Sequence, residues 1–255
     1  MSLVADKVTV RAGGCSLIHE ISVEARPGEL LAIMGPNGAG KSTLLHAMSG
    51  ARQIAGGQVQ LEGRNIQDWP ADRLARQRAV LAQSVELHFP FTVREVVKLG
   101  RLPHGEAHLD VVDEAMQLVG LTGLSKRSYL TLSGGERQRV HLARALAQVW
   151  PTQDSGQRVL LLDEPTNNLD PRHQHEILSL AKQWAEGGAI VAAILHDWNL
   201  ALRFADRAVI LQRGEVAVPV QPVAQALTPE HLHAAFGLKL QALRDGGGAT
   251  WITPA

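Results

Sequence analysis

The chain has one cysteine among its 255 residues, Cys15. A lone thiol excludes an internal disulfide framework and fits a reducing compartment. An excess of charge is also missing: Lys and Arg total 25, Asp and Glu total 25, and the formal net charge is zero. That balance argues against a nucleic-acid partner or a membrane surface engaged through net charge. No apolar run approaches the roughly 20 residues that cross a bilayer; the longest candidates surround Leu160 and Ile190. The opening "MSLVADKVTV" alternates polar and apolar residues and lacks a signal-peptide pattern. Repeats and low-complexity tracts are absent too. These absences lead us to expect a cytosolic protein whose membrane role, if it has one, is exercised through a partner.

What is present reads as an α/β chain. "KVTVR" and "SLIHEISVE" alternate as half-exposed antiparallel strands do, whereas "ELLAIMG" is continuously apolar and reads as a buried strand. "GGQVQLEGRNI" adds a short strand between turn residues. From Val85 to Arg127 the period becomes helical, and "HLDVVDEAMQLVGL" places Leu109, Val112, Ala115, Met116 and Val119 on one stripe. A polar loop, "PTQDSGQR", precedes two more buried strands, "VLLLDEP" and "AIVAAILHD". "AVILQRGEVAV" predicts a hairpin turning at Arg213-Gly214. Beyond Pro219 a helix, "TPEHLHAAFG", and a hairpin around "RDGGGATW" are expected. Buried strands separated by helices imply a parallel sheet covered on both faces. The expectation is a single domain over 1–255, with a helical subdomain and its following loop inserted at 84–157 and a C-terminal extension at 219–255.

"GPNGAGKST" spans Gly35, Pro36, Asn37, Gly38, Ala39, Gly40, Lys41, Ser42 and Thr43, between the buried strand and the helical text "STLLHAMSG". This strand–loop–helix context is what a phosphate-binding loop requires. Its glycines let backbone N–H groups converge on phosphate oxygens where a helix begins. Lys41 is placed to reach the β- and γ-phosphates of a nucleotide and Ser42 to ligate Mg²⁺. The bland alternative, a glycine-rich turn with an accidental lysine, leaves that context unexplained.

Asp163 and Glu164 close the strand "VLLLDEP", and ligands of open α/β sheets bind beyond such strand ends. Asp163 is the candidate Mg²⁺ holder and Glu164 the candidate general base toward a water. Strand ends are also acidic simply where they meet solvent, so the pair gains meaning only beside the phosphate loop. His196, after "AIVAAIL", has two readings: a contact to the γ-phosphate or its water, or a satisfied, partly buried histidine. Gln83, after "VLA", either touches Mg²⁺ or water or is an ordinary exposed strand end. His173/His175 and His231/His233 have i,i+2 spacing, which points rings apart on a helix, so no metal site is assigned to them.

"LSGGE" holds Ser133, Gly134, Gly135 and Glu136. Read locally it is a capping box, with Ser133 the cap and Glu136 bonding back. Two glycines in a first helical turn cost helix stability relative to alanine. Bare N–H groups there suit a second phosphate, with the Ser133 hydroxyl as a further donor. Since the first loop already cradles one nucleotide, the economical arrangement is two chains, each "LSGGE" closing over ATP held by the other chain.

The set "GPNGAGKST", Gln83, "LSGGE", "VLLLDEP", "NNLD" (Asn167 to Asp170) and His196 resembles the nucleotide-binding subunit of an ABC transporter, over about Val4 to Val218. The resemblance implies a P-loop NTPase core with a mainly parallel sheet, an antiparallel β subdomain and an inserted α-helical subdomain. It implies ATP and Mg²⁺ as cofactors, with Ser42, Gln83 and Asp163 around the metal. Lys41, Glu164 and His196 then carry the chemistry, and Asp170 lies at the interface linking two ATP sites of a homodimer. Members of the family stack adenine on an aromatic residue whose position falls near Ala12; none is there, and Arg11 is the neighbour able to make a planar or cation–π contact.

The stretch between "GPNGAGKST" and "LSGGE" has no sustained heptads, unlike the DNA-repair members. One cassette per chain departs from the translation-associated members, and fused membrane helices are lacking. What remains is a separate subunit docking on two transmembrane permease subunits at the cytoplasmic face of the inner membrane. A periplasmic or extracellular substrate-binding protein would be engaged indirectly. The docking groove is expected around Gln83 and "SVELHFPFTVREVVKLGR", where Phe89, Phe91 and Val93 are either exposed anchors or packed inside. "TVREVVKLGRLPH" and "LHDWNLALRFADR" are similar to ATPases of iron–siderophore, haem and cobalamin importers. The extended "AQVWPTQDSGQRVLLLDEP" is similar to those of haem importers. A soluble ABC ATPase without a permease is the alternative class.

Overall fold

The structure is a computed structural model and describes residues 2–83, 87–105, 108, 110–150, 156–167, 169–244, 246 and 250–255. In chain order the elements are β1 (Leu3–Ala12), β2 (Cys15–Ala25), β3 (Leu30–Met34), α1 (Lys41–Met48), β4 (Gly56–Leu61) and β5 (Arg64–Asn65). Then come α2 (Ala71–Gln77), β6 (Arg78–Leu81), α3 (Val93–Lys98), α4 (Asp110–Leu118), α5 (Gly134–Gln148), β7 (Val159–Leu162) and α6 (Pro171–Glu186). The last are β8 (Ile190–Ile194), α7 (Trp198–Phe204), β9 (Arg207–Gln212), β10 (Glu215–Pro222), α8 (Val223–Ala226), α9 (Pro229–Phe236), β11 (Leu240–Arg244) and β12 (Thr250–Pro254). The chain divides into two compact units, one of Met1–Asp68 with Ser179–Ala255 and one of Trp69–Leu178, the division falling within α6.

In the first unit β3 pairs in parallel with β8 on one side and β9 on the other. Every residue of β3 and β8 is buried, which is why both read as unbroken apolar runs. β10 returns antiparallel on β9 through Arg213 and Gly214, both at positive φ (51° and 80°) as the expected tight hairpin demands. A second, antiparallel sheet has the order β2-β1-β4-β5. The hairpin of β1 and β2 turns at Gly13-Gly14, and Arg11 and Ala12 at its tip are exposed. The expected C-terminal helix and hairpin are α9 and β11–β12, with Thr228 capping α9. β10 runs on to Pro222 and so overlaps the start of the extension expected at 219–255.

In the second unit β6 and β7 pair in parallel, Arg78 opposite Val159 through Leu81 opposite Leu162. Capping boxes start α3 (Thr92 with Glu95) and α5 (Ser133 with Glu136). Arg94 of α3 grips Asp113 of α4 with two parallel bonds of 2.9 Å. Val112, Ala115, Met116 and Val119 are buried as the stripe predicts, while Leu109 lies outside the described residues. The expected docking residues divide: Phe89 is 67% and Phe91 36% exposed, but Val93, in the first turn of α3, is fully buried. Ser84, Val85 and Glu86, and residues 151–155 of the polar loop, lie outside the described residues.

Candidate functional site

The first unit supplies a strand–loop–helix cradle. β3 ends at Met34, the loop runs from Gly35 to Gly40, and α1 begins at Lys41. Two glycines are there for space as well as angle. A Cβ on Gly35 (φ 143°) would stand 2.1 Å from the Leu211 carbonyl oxygen, and one on Gly40 (φ 94°) 2.4 Å from Ile18 Cγ2. The Lys41 side chain is buried and folds back across the loop, donating to the carbonyl oxygens of Gly35 at 2.8 Å and Pro36 at 3.0 Å. α1 has no side-chain cap, and the first N–H groups of any helix lack partners within it. An ammonium beside a helix start suits a polyphosphate. Asn37 and Gly38 are exposed, Ala39 is buried, and Ser42 and Thr43 stand in the first turn of α1. His196 follows β8 by two residues and is exposed.

The second unit gathers carboxylates and amides. Asp163, just past β7, is 2% exposed, and its N–H donates to the Leu81 carbonyl at 2.8 Å. It presents at the strand end the oxygen-donor chemistry that a magnesium site takes. Glu164, half-buried, adopts φ 53°, a region that L-residues rarely occupy. Gln83 is exposed, and its Nε2 donates to Glu164 Oε2 at 2.6 Å. Asn167 Nδ2 donates to the same oxygen. The motif "NNLD" does not by itself signal this last contact, since the family resemblance gives a role only to Asp170.

Ser133 and Gly134 are exposed at the start of α5. The Ser133 N–H donates to Glu136 at 2.7 Å, and that bond holds the Glu136 carboxyl below the usual carboxylate range. Below the motif, the buried Tyr129 hydroxyl meets His141 Nε2 of the same helix at 2.7 Å, and Arg137 lies over the Tyr129 ring. Asp170 caps α6: its carboxylate accepts from the His173 N–H at 3.0 Å and contacts the His173 ring at 2.6 Å. The backbone bond from His173 is the main cause of its lowered pKa.

A family model described as ABC transporter matches residues 18–167, taking in the cradle, Gln83, "LSGGE" and both acids. The chain belongs to the ABC transporter family. Among curated relatives, a protein of Pseudomonas aeruginosa named hemin import ATP-binding protein HmuV is 48% identical over 245 residues, 95% of each chain. A Gloeobacter violaceus protein of the same name is 46% identical over 247 residues, 95% of this chain and 90% of its own. Among solved structures, one described as a metal-chelate type ABC transporter, inward-facing, has a TM-score of 0.82 at 25% identity, covering 100% of this chain and 97% of its own. The P-loop NTPase fold and the nucleotide-binding character expected of an ABC subunit are thereby shown. Among the described residues no helix is long and apolar enough to cross a membrane.

Proposed function

We propose that this chain is the ATP-hydrolysing subunit that powers haem import through a membrane permease. The observation that carries the reading is near-full-length likeness, at 48% identity, to a relative named for hemin import. The cradle from Gly35 to Thr43 binds the ATP phosphates, with Lys41 on the β- and γ-oxygens. Ser42, Gln83 and Asp163 are the residues that would hold Mg²⁺, which when bound neutralises charge on those oxygens. Glu164 accepts a proton from the attacking water, and His196 orients the γ-phosphate end. Ser133, Gly134, Gly135 and Glu136 close over ATP bound to a second copy of the chain, and Asp170 lies where the two copies meet.

Closing of the homodimer on ATP moves two permease subunits, and hydrolysis resets it. Nucleotide drives this only because it binds the closed pair better than the open one. The permease seat on this chain is the groove of about 440 Å³ in the second unit, lined by Phe91, Lys98, Leu99 and Leu102, with Phe89 exposed nearby. The subunit works at the cytoplasmic face of the membrane, and a substrate-binding protein on the far side delivers cargo to the permease. Another metal chelate, a ferric siderophore or cobalamin, is the second reading, and the structural neighbour's description as metal-chelate type fits it equally.

The test is growth on haem as sole iron source after loss of this gene. Lost growth, restored by the wild-type gene and not by Glu164→Gln, is the expected result. Undiminished growth on haem, with loss on a ferric siderophore, would move the cargo to the second reading.

A further inference from the structure

Glu164 is held in its left-handed backbone conformation by a residue three positions on. The Asn167 N–H donates to the Glu164 carbonyl oxygen at 3.2 Å, closing a tight turn, while the Asn167 side-chain amide donates to Glu164 Oε2. Asn167 therefore grips both ends of one residue. A non-glycine residue at φ 53° is strained, and such a conformation persists only when neighbours over-determine it. Further bonds do so. Gln138 of α5 donates to the Pro165 carbonyl at 3.4 Å. Gln174 of α6 donates to the carbonyls of Thr166 at 3.2 Å and Leu169 at 3.1 Å. A Cβ on Gly135 would stand 3.2 Å from Leu169 Cδ2, so the second glycine of "LSGGE" packs on the same loop.

We infer that Asn167 is a positioning residue for ATP hydrolysis, its amide aiming the Glu164 carboxylate from the turn that follows it. The inference rests on Glu164 being the general base. An ionised carboxylate only accepts hydrogen bonds, and an amide NH₂ only donates, so the Asn167–Glu164 contact has one polarity. Gln83 reaches the same oxygen from another part of the chain, through an exposed side chain alone. Asn167 is tied to Glu164 through the backbone as well, and so remains the fixed partner. It contacts no reacting atom; it acts through Glu164.

Asn167→Asp tests this on the full chain. The substitution keeps size and turn-forming ability but replaces the donor with an anion facing Glu164. The expected kcat for Mg·ATP falls about tenfold or more, as misplacement of a reacting group by an ångström commonly causes, while KM stays within about twofold. Thermal stability gives an independent reading through a double-mutant cycle. Asn167→Asp lowers Tm in the wild-type background, but in a Glu164→Gln background the new amide donates to Asp at 167 and the loss disappears. Wild-type kcat for Asn167→Asp, or the same Tm loss in both backgrounds, would reduce Asn167 to a turn former and overturn the inference. Full turnover by Glu164→Gln alone would instead remove the general-base assignment on which it rests.

Discussion

The Lys41 ammonium donates to the carbonyl oxygen of Gly35, the first residue of its own loop, at 2.8 Å. A second bond, to Pro36 at 3.0 Å, completes a bridge across the cradle. The loop's first two carbonyls thus fix the position of its own cation. Lys41→Ala is predicted to keep the fold and weaken ATP binding about tenfold or more, in line with loss of a hydrogen bond to a charged group. Calorimetric titration with Mg·ATP measures it; unchanged affinity would contradict the loop assignment.

Gly100 approaches the α5 backbone so closely that a Cβ would stand 2.2 Å from the Arg144 carbonyl oxygen. Neither backbone can yield cheaply. Gly100→Ala is predicted to destabilise the protein by roughly 1–3 kcal/mol, the usual cost of overpacking. Denaturant unfolding gives the value, and a change below a few tenths would show that the contact relaxes.

Burial holds the His104 imidazole below its ordinary pKa, with Arg101, Arg76 and His108 pushing in the same direction against the bond to the Gln148 carbonyl at 2.8 Å. The unfolded chain therefore takes up this proton at higher pH than the folded chain. Stability from the neutral ring is complete above about pH 6.5 and is lost as pH falls through the lower, folded value. The depressed carboxylates, Asp113 and Glu136 among them, act in a more acidic window. His104→Gln is predicted to lose less Tm than wild type between pH 7 and pH 5, each measured against its own value at pH 8. Parallel losses would show that His104 does not contribute.

Asn199 and Ile252 exchange two bonds, Ile252 N–H to Asn199 Oδ1 at 2.8 Å and Asn199 Nδ2 to the Ile252 carbonyl at 3.1 Å. Trp198 Nε1 adds a third, to the same carbonyl, at 3.1 Å. These bonds tie β12 to α7, the helix that follows His196. Asn199→Ala is predicted to weaken the attachment by about 1–2 kcal/mol and to speed amide exchange in β11 and β12. Exchange at the wild-type rate there would show that apolar packing alone holds the hairpin.

Local chemistry was legible in the sequence wherever one short stretch specified its own conformation. The phosphate loop, the Ser133–Glu136 box and the Arg213-Gly214 turn are such cases, each set by residues within a few positions. The extent of β10 was less so. Its prolines, Pro219 and Pro222, suggest an end, yet an edge strand tolerates residues without an N–H, and β10 is an edge. The sequence leaves Val93 as either an exposed anchor or a packed residue; the Thr92 cap decides it, by starting a helix that turns this position inward. Asn167 was hidden for another reason. Its bond to Glu164 lies in an irregular turn, where no periodicity marks which side chains meet.

The central claim is that two copies of this chain share two ATP molecules, and sedimentation of Glu164→Gln tests it most directly. With saturating Mg·ATP the variant is predicted to bind nucleotide, hydrolyse it about a hundredfold or more slowly than wild type, and sediment as a dimer that reverts to monomer when ATP is removed. A variant that binds Mg·ATP fully and still sediments as monomer at every concentration would contradict the shared site.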